Sequence, residues 1–304
     1  MDTKEPLVWF RGSIIPVGEA KITVLSPSVQ YGLNVFEGVR AYWSEGAGCL
    51  YAFRLQDHIN RLYQSATILR LKIPYTPAQI LNAVTDVVAE NRFTEDISLR
   101  IVILLDKPGS WSTQALCEML ISPVRKGREC SDDTPGLTCG ISSWLRINDR
   151  SMSPRVKTGA NYLNSRMAFL EASAGGYDAA LFLNDLGTVA EGTGSTLFMV
   201  REGRLVTPPL DASILESITR DSILEIARHI DIDVSERHID RTELYIADEL
   251  FLCGTSIEVC PISSVDQIII GSGRRGPITK ALMNKFFAVV RAEVDDYSEW
   301  RTVL

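Results

Sequence analysis

Residues 153–172 have the sequence SPRVKTGANYLNSRMAFLEA, in which a single lysine, Lys157, precedes a segment of helical periodicity. The periodic segment predicts a helix that ends at the glycine pair Gly175 and Gly176. An amine that is to form a Schiff base must be neutral part of the time and accessible, which favours a partly desolvated site lined by small residues. The small residues at 158–160 would give that access. Taken alone, however, the pattern favours a surface lysine at a loop-to-helix junction.

The composition limits the class of protein. The chain has 304 residues, 45% of them hydrophobic and 23% charged, and a net charge of −7. These values suit one large globular domain or two medium ones. No basic block could follow a phosphate backbone, so we expect no nucleic-acid partner. The first residues lack the apolar region of a signal peptide, and no run reaches the roughly 18 apolar residues of a membrane span. We therefore expect a soluble, cytoplasmic protein with no membrane partner.

The six cysteines are scattered and include no C-x-x-C pair. We expect reduced thiols that pack as small hydrophobic side chains. The three histidines show no ligand spacing, so no metal site is expected. His58 and His229 lie in helical runs and are predicted to be structural. A Ser-His-Asp hydrolase would need support from a G-x-S-x-G turn, which the sequence lacks.

The first part of the chain predicts a small α+β domain over residues 1–126. Short β-type runs occur in LVWFRGSIIPV, KITVLS, YGLNVFEGVRAYWS and CLYAFR. Apolar residues at 59, 62, 63, 66 and 69 then predict a helix. Thr76 and Pro77 are the expected N-cap and first residue of a second helix. The runs ISLRIVILLD and EMLISPV complete this domain.

A charged, aperiodic stretch within RKGRECSDDTPG predicts an interdomain linker at 127–138, followed by a larger domain over 139–304. LTCGISSW predicts a strand, while DAALFLND and GTVAEGTGSTLFMVREGRLVTPP predict strand, turn and strand. LESITRDSILEIARHI predicts a helix, and YIADELFLCGTS a strand that ends in a polar turn. GPITKALMNKFFAVVRAE predicts an amphipathic helix that closes the chain.

Three further features could bind parts of one cofactor. Glu191, in the small-residue turn AEGTGS, could hold a cationic ring nitrogen, and a solvated turn residue is an equally good interpretation. SITRD (217–221) opens a helix whose hydroxyls and dipole favour an anion, although simple capping also explains it. CGTS (253–256) could present N–H groups and the Thr255 hydroxyl to a phosphate or carboxylate. With the Lys157 amine, these are the groups that pyridoxal phosphate requires.

The order of these segments resembles the branched-chain aminotransferases of the fold-type-IV, or class IV, pyridoxal-phosphate enzymes. The resemblance runs from about residue 8 to the C-terminal helix. Its motifs are YGLNVFEGVR (31–40), HINRL (58–62), KTGANYLNS (157–165), AEGTGSTLF (190–198), SITRD (217–221) and LYIADELFLCGTS (244–256). It implies that Lys157 binds the cofactor covalently and then shuttles the substrate proton, and that Glu191 binds the pyridine nitrogen. The other implied cofactor contacts are Tyr162 with the phenolic oxygen and Arg61, Ser217, Ile218, Thr219 and Thr255 with the phosphate.

The resemblance also implies a fold, an assembly and a substrate-binding set. The implied fold is a small N-terminal α+β domain and a larger domain with a barrel-like β core, with the cofactor between them in a homodimer. The implied substrate-binding residues are Tyr31, Phe36, Gly38, Arg40, Ser98, Arg100, Thr255 and Ser256. The 31–40 segment resembles the L-branched-chain type, because Tyr31 and Phe36 form an apolar wall and Gly38 leaves space beside the reacting carbon.

Three places depart from the family pattern. Ser98 stands where the family commonly has a tyrosine that helps to bind the substrate carboxylate. Val124 and Gly127 stand where pocket aromatics are common, which predicts a wider pocket. LESIT replaces a Pro-Gly form of the turn before the phosphate helix, and Ser217 can still donate a hydrogen bond there.

These features predict a transaminase that moves the amino group of an L-amino acid, branched-chain or otherwise apolar, to 2-oxoglutarate in a ping-pong cycle. One alternative is a class IV transaminase for a bulkier unusual amino acid, a D-amino acid or an (R)-amine. A second alternative is a lyase such as aminodeoxychorismate lyase, against which the 31–40 segment argues. A non-catalytic cofactor-binding protein would be expected to have lost Lys157 or Glu191, and both are present.

Overall fold

The computed structural model describes residues 5–130 and 135–304. Its strands are β1 (Leu7–Phe10), β2 (Ser13–Pro16), β3 (Asn34–Ser44), β4 (Cys49–Phe53), β5 (Ile97–Leu104), β6 (Glu118–Arg125), β7 (Leu137–Ile141), β8 (Ala179–Leu183), β9 (Val189–Gly192), β10 (Thr196–Arg201), β11 (Arg204–Thr207), β12 (Val234–Glu236), β13 (Glu249–Gly254), β14 (Glu258–Val265), β15 (Ile268–Ile269) and β16 (Arg301–Val303). Its α-helices are α1 (Pro27–Tyr31), α2 (Leu55–Ile68), α3 (Pro77–Asn91), α4 (Tyr162–Ala174), α5 (Ile218–His229) and α6 (Pro277–Val290).

The chain forms two compact units. The first contains the described residues up to Gly127 together with Val156–Ala160 and Val289–Leu304, and the second contains the described residues of 128–155 and Asn161–Ala288. The sequence pattern predicts one linker at 127–138 and a second domain that contains all of 139–304. The structure instead returns two later segments to the first unit, because β16 pairs with β4 and the Lys157 carbonyl accepts a hydrogen bond from Phe36 in β3.

The first unit is built on an antiparallel sheet of seven strands in the order β16-β4-β3-β5-β6-β1-β2. Helices α2 and α3 bury their apolar stripes against one face of it, with Ile59, Leu62 and Val84 among the fully buried side chains. Thr76 and Gln79 form a reciprocal capping box at the start of α3, and Pro77 follows as its first residue. The predicted N-cap and the two predicted helices are therefore confirmed.

The expected strand in KITVLS (21–26) is wrong. The Thr23 N–H donates to the carboxylate of Asp106 at 2.6 Å instead of to a neighbouring strand. Ser26 then accepts a hydrogen bond from Val29 N and caps the short helix α1. The β-branched residues of this stretch favour a strand, but a side-chain acceptor and a helix cap take up backbone groups there.

The second unit contains a nine-stranded sheet in the order β12-β11-β10-β13-β14-β7-β8-β9, with β15 beside β14. Its pairings are mixed: β7 is parallel to both β14 and β8, and β10, β13 and β14 are antiparallel neighbours. The Gly192 N–H donates to Ser195 O at 2.8 Å, so β9, at the end of the strand order, lies beside the start of β10. The sheet therefore curls upon itself, in agreement with the predicted barrel-like core.

Two details of this unit differ from the sequence analysis. A tight turn at Glu202 and Gly203, both with positive φ, separates β10 from β11, so the range 178–209 contains four strands and not two. The chain also does not close with the helix α6, since β16 follows it. The Glu249 carboxylate accepts hydrogen bonds from the N–H groups of Ile278 and Thr279 and so caps α6.

The expectation of reduced cysteines is wrong for one pair. Cys130 and Cys260, 130 residues apart, form a disulfide with a Cα–Cα distance of 5.7 Å. The other four cysteines are free thiols, and Cys117, Cys139 and Cys253 are buried as predicted. No helix in the described ranges is long and apolar enough to cross a membrane.

Candidate active site

Lys157 lies in the first unit, in an irregular segment that is hydrogen-bonded to both β3 and α2. Its N–H donates to Ser65 Oγ at 3.1 Å, and its carbonyl accepts from Phe36 N at 3.0 Å. The Lys157 side chain is half-buried, and Nζ lies 5.2 Å from the centroid of the Phe36 ring. Gly159 allows the segment to approach β3 closely, because a Cβ there would stand 3.1 Å from Asn34 Oδ1. The structure thus brings the predicted amine onto a predicted wall residue of the pocket.

A buried ionic network lies beside this segment. His58, Arg61 and Ser65 share one face of α2 because they are three and four residues apart. Arg61 Nε and Nη2 donate to the two oxygens of Glu37, each at 2.8 Å. The ring nitrogen Nδ1 of His58 lies 2.7 Å from Glu37 Oε2. Glu37 is fully buried, and its carboxylate is held by a guanidinium fork and an imidazole together.

The network determines the charge of its members. Burial alone would raise the pKa of Glu37, but the charge and hydrogen bonds of Arg61, with the hydrogen bond of His58, hold it well below its usual range. Burial lowers the pKa of His58, and the nearby charges of Arg61 and Lys157 lower it further against the opposing effect of Glu37. Glu37 is therefore an anion and His58 a neutral donor at neutral pH.

The face of the first sheet opposite α2 and α3 carries most of the predicted substrate residues. Successive side chains of a strand alternate between the two faces of the sheet. Gly38 and Arg40 of β3 pair with Arg100 and Ser98 of β5, and Ser98 in turn pairs with Val124 of β6. The Arg100 guanidinium lies 4.5 Å from the Phe36 ring centroid and Arg100 is exposed. This face therefore places Arg100 beside the aromatic ring that Lys157 also contacts, and it carries Arg40 further along β3.

The remaining residues of this set differ in their surroundings. Arg40 is buried, and its Nη2 donates to Gly127 O at 3.0 Å. An ideal Cβ on Gly38 or Gly127 would meet no atom within 4 Å, and Val124 is 53% exposed. Tyr31, at the end of α1, is 48% exposed. Small or open positions thus surround the predicted pocket wall of the first unit.

Glu191 lies in the second unit at β9 and is buried. Its Oε1 is 2.8 Å from Nη2 of the buried Arg146, and its Oε2 accepts from Leu215 N at 3.1 Å. The Arg146 backbone is fixed by a hydrogen bond to Leu183 O, and its guanidinium lies over the Phe182 ring. The carboxylate predicted for a cationic ring nitrogen is therefore oriented from both sides, and it lies next to the segment that leads into α5.

The predicted phosphate residues lie at the start of α5 and at the β13–β14 turn. Ser217 is the N-cap of α5 and accepts from Arg220 N at 3.2 Å, and Ile218 and Thr219 in the first turn are buried. Thr255 is half-buried and Ser256 exposed in the turn after β13. Tyr162, the first residue of α4, is 37% exposed.

Cys253 precedes the β13–β14 turn and is fully buried. Burial raises the pKa of its thiol far above the usual range, so it is protonated at neutral pH. A protonated, enclosed thiol is neither a nucleophile nor a metal ligand. In the described residues, no group of three or more His, Cys, Asp or Glu side chains could hold a metal ion.

Three residues of these networks are not indicated as site residues by the sequence motifs. Glu37 and Arg146 were not identified, and His58 was assigned only a structural part. A signal existed for Glu37, which occupies a core-facing strand position between Val35 and Val39, where an unpaired carboxylate would be costly. Arg146 follows a strand in an irregular segment, where no local pattern indicates its partner.

Comparison with known proteins places the chain among aminotransferases. Residues 34–265 match the family model described as amino-transferase class IV. A probable branched-chain-amino-acid aminotransferase of Aquifex aeolicus is 37% identical over 97% of this chain and 95% of its own length. The branched-chain-amino-acid aminotransferase of Escherichia coli is 34% identical over 98% of this chain and 97% of its own length.

Solved structures agree with these sequence relatives. The branched-chain aminotransferase of Thermoproteus uzoniensis with norvaline superposes with a TM-score of 0.94 at 40% identity, covering 99% of both chains. The branched-chain amino acid aminotransferase of Thermobaculum terrenum in its PLP form gives the same score and identity over 98% of both chains. These similarities confirm the predicted fold class.

Proposed function

The chain belongs to the amino-transferase class IV family, and from this premise we propose that it transfers the amino group of a branched-chain or other apolar L-amino acid to 2-oxoglutarate. The proposal takes its substrate class from the names of relatives that span nearly the whole chain. The observation that carries it is the half-buried Lys157 amine over Phe36, on the sheet face that also bears Arg40 and Arg100.

The residues of both units have the chemistry that pyridoxal phosphate requires. A pyridinium nitrogen suits a buried carboxylate that is already held in place, which describes Glu191. A phosphate suits the first turn of a helix with hydroxyl residues, which describes Ser217 and Thr219. When bound, the cofactor supplies an electron sink for the bonds at the amino-acid α carbon.

Lys157 is proposed to bind the cofactor aldehyde through Nζ and, once displaced, to move the proton at the substrate α carbon. Such a base must reach both positions while its backbone stays fixed. The hydrogen bonds of the Lys157 N–H and carbonyl fix the backbone, and the flexible side chain remains half-buried.

Glu191 is proposed to keep a proton on the ring nitrogen, and Arg146 to keep Glu191 in place. The guanidinium holds one carboxylate oxygen and the Leu215 N–H holds the other. A carboxylate fixed in this way can accept a hydrogen bond from a protonated ring nitrogen.

Phosphate is proposed to be bound by Arg61 in the first unit and, in the second unit, by the first turn of α5 and by Thr255. Glu37 takes two hydrogen bonds from Arg61, so the plane of the guanidinium is fixed before any anion arrives. A fixed, planar donor set loses less entropy on binding phosphate than a mobile one. Glu37 is thereby a positioning residue in this proposal.

The substrate side chain is proposed to lie along the sheet face between Phe36 and Gly38. An aliphatic group suits the Phe36 ring and the open space at Gly38. A bulkier amino donor is a second candidate, because Val124 and Gly127 leave space where aromatic residues are common in the family. Ser98, in register with Arg40, offers a shorter hydroxyl for the carboxylate than a tyrosine would.

A homodimer and a cytoplasmic location complete the proposal. The amphipathic pattern expected of a surface helix is missing from α4, whose outward-facing residues include apolar side chains. The exposed ones on this helix include Leu163, Met167, Phe169 and Leu170, which are between 44% and 66% exposed. An apolar surface of this kind favours contact with another chain.

The test is the visible absorbance of the protein with pyridoxal phosphate while single amino donors are added. We expect L-leucine and L-glutamate to convert the absorbance to that of pyridoxamine phosphate, and D-alanine and an (R)-arylalkylamine to leave it unchanged. The variant Lys157→Ala should lose turnover, whereas Lys107→Ala, which removes an exposed lysine of the first unit, should not.

Three results would contradict parts of the proposal. Conversion by D-alanine or the amine alone would assign another substrate class. Multiple turnovers by Lys157→Ala at near the original rate would remove Lys157 from its role. Absence of any absorbance from bound cofactor would exclude the transaminase function.

A further inference from the structure

The Cys130–Cys260 disulfide lies where the chain enters the second unit. Arg128 is the first residue of that unit, and Cys130 follows two residues later. Both cysteines are buried, Cys130 at 4% and Cys260 at 0% exposure, whereas Gly127, Arg128 and Glu129 are exposed. The bond therefore joins an exposed entry segment, residues 127–130, to the interior strand β14.

A second contact attaches the same segment to the same strand. The Glu129 N–H donates to Glu258 Oε2 at 3.1 Å. Glu258 is the first residue of β14, is 1% exposed and has a φ of 62°. A non-glycine residue in this left-handed region needs support from its surroundings, and the Glu129 contact contributes to it. The entry segment thus reaches β14 at positions 258 and 260.

The start of β14 is also the end of the turn that carries Thr255 and Ser256. Glu258 pairs with Gly254 across the β13–β14 hairpin, and Cys260 pairs with Leu252. Only Thr255, Ser256 and Ile257 lie between the two strands. Any movement of Glu258 therefore displaces this three-residue turn directly.

We propose that Cys130–Cys260 is a thiol–disulfide exchange site that controls substrate binding by fixing the β13–β14 turn. This inference rests on the proposed binding roles of Thr255 and Ser256. With the disulfide formed, the turn is held in one arrangement. With the disulfide reduced, the entry segment and Glu258 are held by the remaining non-covalent contacts, and the turn samples further arrangements.

The exchange needs a dithiol as reductant. One of its thiolates attacks Cys130 Sγ, the S–S bond breaks, and Cys260 leaves as a thiolate that takes a proton. The second thiol of the reductant then attacks the mixed disulfide and releases Cys130 as a thiol. Two electrons and two protons pass to the protein, and the reductant becomes a cyclic disulfide. An oxidised dithiol reverses each step.

The exposure pattern favours exchange over a permanently sealed bond. Attack on Cys130 Sγ requires the entry segment to open, which is favoured by the exposure of residues 127–129, while β14 keeps its strand partners. Disulfides in reducing compartments are usually transient or redox-sensing. The free cysteines Cys117, Cys139 and Cys253 are also buried, but no run of consecutive exposed residues like 127–129 immediately precedes any of them.

The experiment compares the full-length protein with pyridoxal phosphate after treatment with dithiothreitol or with its oxidised form. Alkylation and mass spectrometry count the free thiols. Hydrogen exchange of the amides at 254–258 reports the mobility of the turn, and it needs no enzymatic activity. The KM for L-leucine and kcat report the effect on the reaction. The variants are Cys130→Ser, Cys260→Ala and, as a control, Cys49→Ser, whose thiol is not in the disulfide.

We expect reduction to free two thiols, to accelerate exchange at 254–258 and to raise the KM about tenfold, as when the competent arrangement falls to roughly a tenth of the population. The kcat should change by less than about twofold, because Lys157 and Glu191 are untouched. Cys130→Ser and Cys260→Ala should behave as the reduced protein and ignore dithiothreitol, while Cys49→Ser should respond as the unmodified chain.

Distinct results would overturn the inference. Six free thiols after oxidation would mean that the bond does not form. Unchanged exchange at 254–258 in the reduced protein, or an unchanged KM with only a lower Tm, would make the bond a structural crosslink. A protein that transaminates in neither state would refute the proposed function, and the exchange measurement would still decide whether the bond controls the turn.

Discussion

Replacing Glu37 with glutamine tests the buried ionic network of the first unit. Glu37 is fully buried and accepts two hydrogen bonds from Arg61, with His58 at 2.7 Å. Glutamine has the same shape but no charge, and its amide N–H groups would face donors on Arg61 or His58. The buried guanidinium would then lack its counter-charge. Loss of one partner from a buried ion pair costs about 3–5 kcal/mol of unfolding free energy.

This free energy corresponds to a measurable shift in Tm. With the unfolding entropy typical of a chain of this length, about 3–5 kcal/mol lowers the Tm by roughly 5–8 °C. The assay is thermal unfolding of the cofactor-free protein, followed by far-UV circular dichroism, so that ligand binding adds nothing to the stability. A double variant Glu37→Gln with Arg61→Met should recover part of the loss, because it also removes the unpaired charge.

The matched control is Glu95→Gln. Glu95 pairs with Arg125 in the same unit, but both side chains are more than half exposed. An exposed pair contributes only about 0–1 kcal/mol, so the Tm should hardly move. Equal, small effects of the two substitutions would refute the assignment of a stabilising buried network to Glu37. A further loss in the double variant would show that the unpaired arginine is not the cause.

Two further predictions concern pH and assembly. Burial lowers the pKa of His58, so below pH 6.5 the unfolded chain binds a proton at His58 that the folded chain does not. The free energy of unfolding should therefore decrease as the pH falls, by up to about 1.4 kcal/mol per pH unit. Denaturant titrations at several pH values should show that His58→Asn loses this dependence of unfolding free energy on pH, whereas the control His229→Asn, at an exposed position, keeps it. Equal pH dependence in the two variants would contradict the prediction. If α4 contacts a second copy of the chain, Leu163→Glu should increase the monomer fraction in sedimentation velocity. Leu186→Glu, at a 72% exposed position of the same unit, should not, and unchanged mass for both would exclude this face as the contact.

The sequence alone determined the features that depend on local pattern. Helices α2 and α3 were predicted from apolar spacing and from Thr76 and Pro77, since cap and stripe lie within a few residues of one another. The family was also identified from short motifs, because each motif is contiguous. The roles assigned to Lys157 and Glu191 come from these motifs and remain predictions.

Only the tertiary structure decided which distant residues meet. Arg61 and Glu37 are 24 residues apart, and Cys130 and Cys260 are 130 apart, so neither pair has a local signature. The expected strand at 21–26 failed for the same reason, because Asp106 binds its backbone from a different part of the chain. Periodicity reports which face of an element is apolar, whereas the partner of a buried charge or thiol depends on how the strands are ordered in the sheet. The sequence thus determined the kinds of elements and the reactive groups, and the folded chain decided which side chains hold those groups in position.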